Sequence, residues 1–410
     1  MTDIKWGDLA QNWLDRLAQC SESGPGVTRL PFTLEHQAAL GVLTELMQQA
    51  GLTVSLDAAG TFIGRAEGPD GTPTLLLGSH QDSVREGGAY DGIMGVVLPI
   101  LALQKLQHEG EKLRYSVEVL AFADEEGVRF PTALLGPRAL AGTFDMAALE
   151  LRDKDGISLR RAMEDFGLSP ASLPRLRRDP AKVVGWIETH LEQGPVLEQA
   201  GHSVGVVTAI CGIERHFVTL TGKAAHAGTM PMQLRQDALA GASELVLATE
   251  EMARNRSGLL ATVGALQVRP GVVNAVPGEV TMTVEIRAPV DTDRENAGVE
   301  LSQIAHDVAS RRGLTLEIMR SYAQRATPCA DEIIAQLSKV PADTGHSVPH
   351  LPSGATHDTS AMADLCPVGM LFTRCRDGIS HHPDEFVDPE AMHAAIDTLD
   401  RVIRGYGTAR

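Results

Sequence analysis

The sequence predicts a discontinuous α/β fold: one α/β domain built from residues 1–211 and 327–410, interrupted by a smaller ferredoxin-like βαββαβ domain at 212–326. Three observations predict it. In the first half, helical patterns alternate with short continuous apolar runs, Thr74 to Gly78 and Val117 to Ala123, and such runs suit a parallel-rich sheet buried on both faces. From about Gly212 the rhythm changes to strand, helix, strand, strand, helix, strand, which is the βαββαβ order. After Thr327 the α/β style returns, with a helix from Asp331, a strand over Val368 to Thr373 and a closing helix from Pro389.

Taken in order, the opening MTDIKWGDLAQNWLDRL reads as an amphipathic helix with Leu9, Trp13 and Leu17 on one stripe, and it has no uninterrupted apolar stretch of the export type. Thr33 is placed to cap a helix that runs to Ala50 and stops at Gly51, and Ile93 to Leu103 reads as another helix. Residues 154–182 are charged and strand-poor, with a helix around Leu159 to Phe166. In the inserted region the strands are expected over Arg215 to Thr221, Leu259 to Val268, Glu279 to Ala288 and Leu314 to Tyr322, with helices over Gln236 to Ala253 and Thr292 to Arg312.

Composition narrows the functions. The 410 residues carry 36 Lys+Arg against 53 Asp+Glu, a net charge of −17, which repels nucleic acid and anionic membrane surfaces. No stretch approaches the roughly 20 apolar residues of a membrane span. Five scattered cysteines, an odd number without a Cys-x-x-Cys, suit reduced thiols and a cytoplasmic protein.

Acids and imidazoles gather where the apolar runs end. Ser79-His80-Gln81-Asp82 closes the first run, and period two puts His80 and Asp82 on one face, where Asp82 can orient the imidazole. Alone, that pair is a weak signal and more often belongs to a solvated loop. Asp91 precedes a helix and could simply cap it. Asp124-Glu125-Glu126 follows a strand, where three consecutive acids are costly unless cations attend them. In Ile187-Glu-Thr-His190 a strand is again followed by a histidine with polar neighbours, and Ser380-His381-His382-Pro383-Asp384-Glu385 lies in a turn near the end. Ligands of open α/β sheets collect at the carboxyl ends of strands. The donor set suits first-row divalent ions, and its excess over the needs of one zinc suggests two. Spacing by itself reaches a cytosolic metallohydrolase. His36, His108, His306 and His393 fall in helical patterns and are expected at the surface or half-buried, and His216 is expected to serve packing.

These segments resemble the carbamoylase and allantoate amidohydrolase branch of the aminoacylase-like dinuclear zinc amidohydrolases and peptidases. The resemblance runs from Gly64-Arg65 through the final helix. It rests on Gly78-Ser-His-Gln-Asp82, Ala123-Asp-Glu-Glu-Gly127, His190-Leu-Glu-Gln-Gly194, Ala225-His-Ala-Gly-Thr229, Arg269-Pro-Gly-Val-Val-Asn274 and Ser380-His-His-Pro-Asp-Glu385. It implies that Asp91 bridges two divalent ions (zinc, or manganese, cobalt or nickel). His80 and His190 would complete one position and Glu126 and His382 the other, with Glu125 as general base beside Asp82. It further implies that His226, with Asn274, faces the developing oxyanion, that Arg287 clamps a substrate carboxylate, and that Gln193 and Gly354 of the catalytic domain hold the ureido group and substrate backbone. Peptidase branches usually carry a carboxylate where His190 stands.

Two segments depart from the family pattern: Gly228-Thr-Met230-Pro-Met232, where Thr-Thr is usual, and Ser353-Gly-Ala-Thr356-His-Asp358, where Thr356 replaces a glycine. The reading is therefore a cytoplasmic metal-dependent amidohydrolase that cleaves the carbamoyl C–N bond of an N-carbamoyl amino acid or allantoate-like ureido acid, releasing ammonia and carbon dioxide. The alternative is a dinuclear metallopeptidase or N-acyl amino acid deacylase. The implied assembly is a homodimer in which the inserted domain is lid and interface, and His226, Asn274 and Arg287 serve the partner's metals.

Overall fold

The computed structural model describes residues 4–339 and 348–406. They fall into two compact units, one built from residues up to 208 with 329–351 and 357 onward, the other from 209–328 with 352–356.

The first unit opens with α1 (Trp6–Ala18), which buries Trp6, Ala10, Trp13, Leu14 and Leu17 on one stripe. Leu9, expected on that stripe, is only half-buried. The Thr33 side chain accepts from the His36 N–H to start α2 (Leu34–Gln49). Then come β1 (Thr53–Leu56), β2 (Phe62–Ala66), β3 (Thr74–His80), α3 (Ile93–His108) and β4 (Ser116–Phe122). Next is α4 (Leu135–Ala141); the charged excursion supplies α5 (Leu159–Asp165) and short 3₁₀ turns, and β5 (Val183–Leu191), α6 (Val196–Ala200) and β6 (Val204–Ile210) follow.

Strands β4, β3, β5 and a late strand run parallel, while β1, β2 and β6 pair antiparallel at the flanks, so the sheet is mixed. Both faces of β3 are buried because Leu75 and Leu77 join the cluster under α1, α3 and α2, whereas Leu76 points to the opposite cluster with Leu120, Phe122 and Trp186. That two-sided burial explains the continuous apolar runs. It also aligns the carboxyl ends of the parallel strands along one edge, where the acids and imidazoles sit.

The second unit contains β7 (Gly212–Thr221), β8 (Ala225–His226), α7 (Ala238–Arg254), β9 (Leu260–Arg269), β10 (Ala275–Val276), β11 (Glu279–Ala288), α8 (Asp291–Arg312), β12 (Thr315–Gln324) and β13 (Thr327–Pro328). Its main sheet is antiparallel in the order β12-β7-β11-β9. Val218, Leu220, Val280, Met282, Val284 and Ile286 alternate inward to meet Ala242, Leu245, Leu301 and Ala305 of the two helices. The two-residue pair β8 and β10 has too few residues to show a period and was not anticipated. The chain continues through α9 (Asp331–Leu337), β14 (His350–Ser353), α10 (Thr359–Met362), β15 (Val368–Thr373), the late strand parallel to β5, and α11 (Pro389–Gly405). All five cysteines are free, and no helix among the described residues is long and apolar enough to cross a membrane.

One histidine departs from its expected setting. His36 is fully buried, stacked on Phe166 with ring centroids 4.6 Å apart, and its Nδ1 accepts from the Phe32 N–H at 3.0 Å. Burial, helped by the nearby Arg29 charge, holds its pKa down at about 3. A pKa below the unfolded value means stability is fully present above about pH 6.5 and is lost as pH falls toward 3, at about 1.4 kcal/mol per unit. Urea unfolding of His36→Asn between pH 7 and 4.5 is expected to show a shallower decline than wild type by that slope. Parallel curves would mean that His36 does not set the acid limit.

Candidate metal centre

The sheet's carboxyl edge builds the site. His80 is the last residue of β3 and fully enclosed; its Nδ1 lies 3.0 Å from the Asp82 carbonyl and 3.6 Å from Asp82 Oδ1. With Nδ1 directed at that carbonyl, the other ring nitrogen, Nε2, faces Asp91 Oδ1 at 3.4 Å. From β5, His190 repeats the arrangement: Nδ1 is 3.0 Å from the Leu191 carbonyl and Nε2 is 3.1 Å from the same Asp91 oxygen. The turn before α3 must be glycine at position 92. Gly92 has φ +65°, and a Cβ there would stand 2.3 Å from the His80 ring.

After β4 the acids are hung from Asp82, whose Oδ1 and Oδ2 accept from the Glu125 and Glu126 N–H groups at 3.1 and 3.2 Å. Asp82 therefore holds one imidazole and the backbone of both glutamates. Ligand-type atoms of His80, Asp91 and His190 lie within 4.8 Å of one another, as do those of His80, Glu125 and Glu126, and those of Asp91, Glu126 and His381.

The last group contains His381 where His382 was expected. His382 is turned away: its side chain is 59% exposed and its Nδ1 lies 3.6 Å from Asp384. His381 takes the place instead, with Nε2 3.4 Å from Asp91 Oδ2 and 3.6 Å from Glu126 Oε1. Its backbone lies in the left-handed region, with φ +56°. Adjacent histidines in an irregular turn have no period, so the sequence offers no way to choose between them.

Buried charge identifies what the cluster needs. Burial, relieved by His80 and reinforced by Glu126, holds the Glu125 carboxyl well above the usual range. Burial likewise raises Glu126 to about 7 despite His80, with Asp91 adding to the rise. Against its own burial, Asp91 is drawn well below the usual carboxylate range by His190, His381 and His80. Hydrogen bonding to Asp91 lifts His381 to about 9. Without cations the imidazoles must supply the positive charge. A mixed imidazole and carboxylate set that is this enclosed fits divalent first-row ions, which would replace those protons.

Gln193 joins the same group. Its φ is +57°, and its Nε2 donates to Asp91 Oδ2 at 3.0 Å and lies 3.1 Å from Ser380 Oγ. Sequence reasoning missed Ser380 and Glu385 as site residues, and it missed Glu188, a buried acid that accepts from Ser79 Oγ and from the Thr359 N–H and hydroxyl. A carboxylate in the middle of the apolar run of β5 was the available signal.

The second unit holds four further expected residues. Ala275 pairs with His226, and the Ala227 N–H donates to the Asn274 carbonyl, so exposed His226 and Asn274 are neighbours. Arg287, at the end of β11, donates through Nε to Glu285 Oε1 at 2.7 Å and through Nη1 to the Gly354 carbonyl. Gly354, expected in the catalytic domain, groups with this unit instead. The irregular Met230 segment is tied down by Arg235, which donates to the Met230 and Ala227 carbonyls, and Thr356 is half-buried.

The profile of the peptidase family M20/M25/M40 matches residues 76–405. The chain belongs to this family. Among relatives of this M20 chain, the N-carbamoyl-L-amino acid amidohydrolase of Geobacillus stearothermophilus is 40% identical over 390 residues, 94% of this chain and 95% of that one. Allantoate deiminase of Arabidopsis thaliana is 37% identical over 420 residues, 95% of this chain and 80% of that one. The crystal structure of an amidase of the hydantoinase/carbamoylase family from Burkholderia multivorans matches with a TM-score of 0.90 at 30% identity, covering 97% of each chain.

Proposed function

We propose that this protein is a metal-dependent amidohydrolase that cleaves the carbamoyl C–N bond of an N-carbamoyl amino acid or an allantoate-like ureido acid, releasing ammonia and carbon dioxide. The observation that carries the reading is near full-length similarity to proteins named for those two substrates. The alternative, a peptidase or deacylase, has no comparable support from these relatives.

His80, His190, Asp91, Glu126 and His381 would hold two divalent ions, with Asp91 between them. When bound, such ions supply Lewis acidity and make water a nucleophile near neutral pH. Glu125 is the general base: it takes the proton of the attacking water and returns it to the leaving nitrogen. Asp82 keeps Glu125 in place through its backbone. His226 and Asn274 face the carbonyl oxygen as charge develops on it, Arg287 clamps the substrate carboxylate in place of its present Glu285 and Gly354 partners, and Gln193 and Gly354 bind the ureido group and backbone. Residues 212–326 act as a ferredoxin-like lid and dimer interface. The site is shared across a cytoplasmic homodimer.

Product analysis tests the reaction. Manganese- or zinc-loaded protein incubated with N-carbamoyl-L-amino acids and allantoate is expected to release ammonia and carbon dioxide in equal amounts from at least one of them. Release of an amino acid from N-acetyl amino acids or dipeptides, with no ammonia from any ureido acid, would establish the alternative.

A further inference from the structure

We propose that Glu385 is a positioning residue of the metal centre, fixing Asp91 and His381 relative to each other. The inference rests on the reading of those two residues as ligands. The Glu385 carboxylate is almost fully buried. Its Oε1 accepts from the Tyr90 and Asp91 N–H groups, each at 3.0 Å. Its Oε2 lies 3.0 Å from Ser380 Oγ, which in turn stands 2.8 Å from Asp91 Oδ2.

One side chain thus grips the Asp91 backbone from behind and reaches Ser380, the residue before His381, whose single hydroxyl proton is available to the Glu385 or the Asp91 carboxylate. The two loops are far apart in sequence, and this carboxylate joins them. Ahead of α3 no side chain caps the helix, since position 92 is glycine, and Glu385 satisfies two backbone donors there from a distant segment. The fit is close: a Cβ on Gly88 would stand 2.2 Å from Glu385 Oε1.

The left-handed backbone of Gln193 and His381 adds a second reason. Non-glycine residues hold that conformation only where their surroundings over-determine it. Ser380 and Glu385 bracket His381 in the turn, and Gln193 is joined to Ser380 and Asp91 through its amide. Removing the Glu385 carboxylate would release the His381 side of the centre and leave His80 and His190 on their strands.

The test is metal binding by the full-length, metal-stripped protein. Manganese is titrated calorimetrically into wild type, Glu385→Ala, Glu385→Gln and Ser380→Ala. Glu385→Ala is expected to keep one ion near wild-type affinity and to bind the other roughly 10- to 100-fold more weakly. Its activity should be lost at limiting manganese and recover with excess, and Glu385→Gln, which keeps an acceptor for the two N–H groups, should lie between the two. A merely structural role would lower thermal stability without weakening one ion or giving rescue by metal. Should Glu385→Ala fail to fold, Ser380→Ala carries the test, because it removes only the hydroxyl between Glu385 and Asp91. Two ions bound with wild-type affinity in the variants that fold would overturn the Glu385 role alone. Wild-type protein that binds no ion would overturn the centre itself, and wild type that binds two ions but cleaves no ureido acid would overturn only the reaction.

Discussion

Glu125→Gln is expected to lower kcat by about 100-fold or more while both ions stay bound, since hydrolysis without its general base typically loses that much. The substitution keeps size and shape, and the backbone N–H of residue 125 still donates to Asp82 Oδ1. Only the ability to take and return a proton is removed. Steady-state kinetics and elemental analysis on the same preparation check it. Because ligand-type atoms of Glu125 lie with those of His80 and Glu126, a variant that has lost an ion would reassign Glu125 from base to ligand.

The second large effect separates two adjacent histidines. His381→Ala should lose an ion and at least about 100-fold in activity, because losing a direct ligand costs no less than losing the partner that orients one. His382→Ala should stay within about twofold of wild type, as its ring is exposed and faces Asp384. Activity and metal content of the two variants read this directly, and the reverse pattern would restore His382 to the centre.

That pair also marks where sequence stops being legible. His80 could be placed because it closes a strand opened by a continuous apolar run, and His190 because it lies near the carboxyl end of a second buried strand. Asp91, Glu125 and Glu126 follow strand or helix boundaries that hydrophobic pattern also defines. The turn at 380–385 has no such pattern, and two adjacent histidines in it carry no periodicity that tells which points inward. Glu385 was unreadable as a site residue for the same reason, since its partners at Tyr90 and Asp91 lie nearly the whole chain away. His36 was misplaced because a helical pattern shows which face is apolar but not that Phe32 and Phe166 close over a polar ring. In the second unit, the strand and helix order was legible from alternation along β7, β11 and β12. The short β8–β10 pair that brings His226 beside Asn274 was not.

The claim that this chain attacks a ureido rather than an acyl group is tested most directly by giving it the same amino acid twice, once N-carbamoylated and once N-acetylated. The metal-loaded protein is assayed on both by amino acid release, under identical conditions, across several side chains. The account predicts a higher kcat/KM for the carbamoyl compound of at least one pair, with ammonia appearing alongside the amino acid. Faster turnover of the acetyl compound throughout, with no ammonia from its carbamoyl partner or from allantoate, would contradict it.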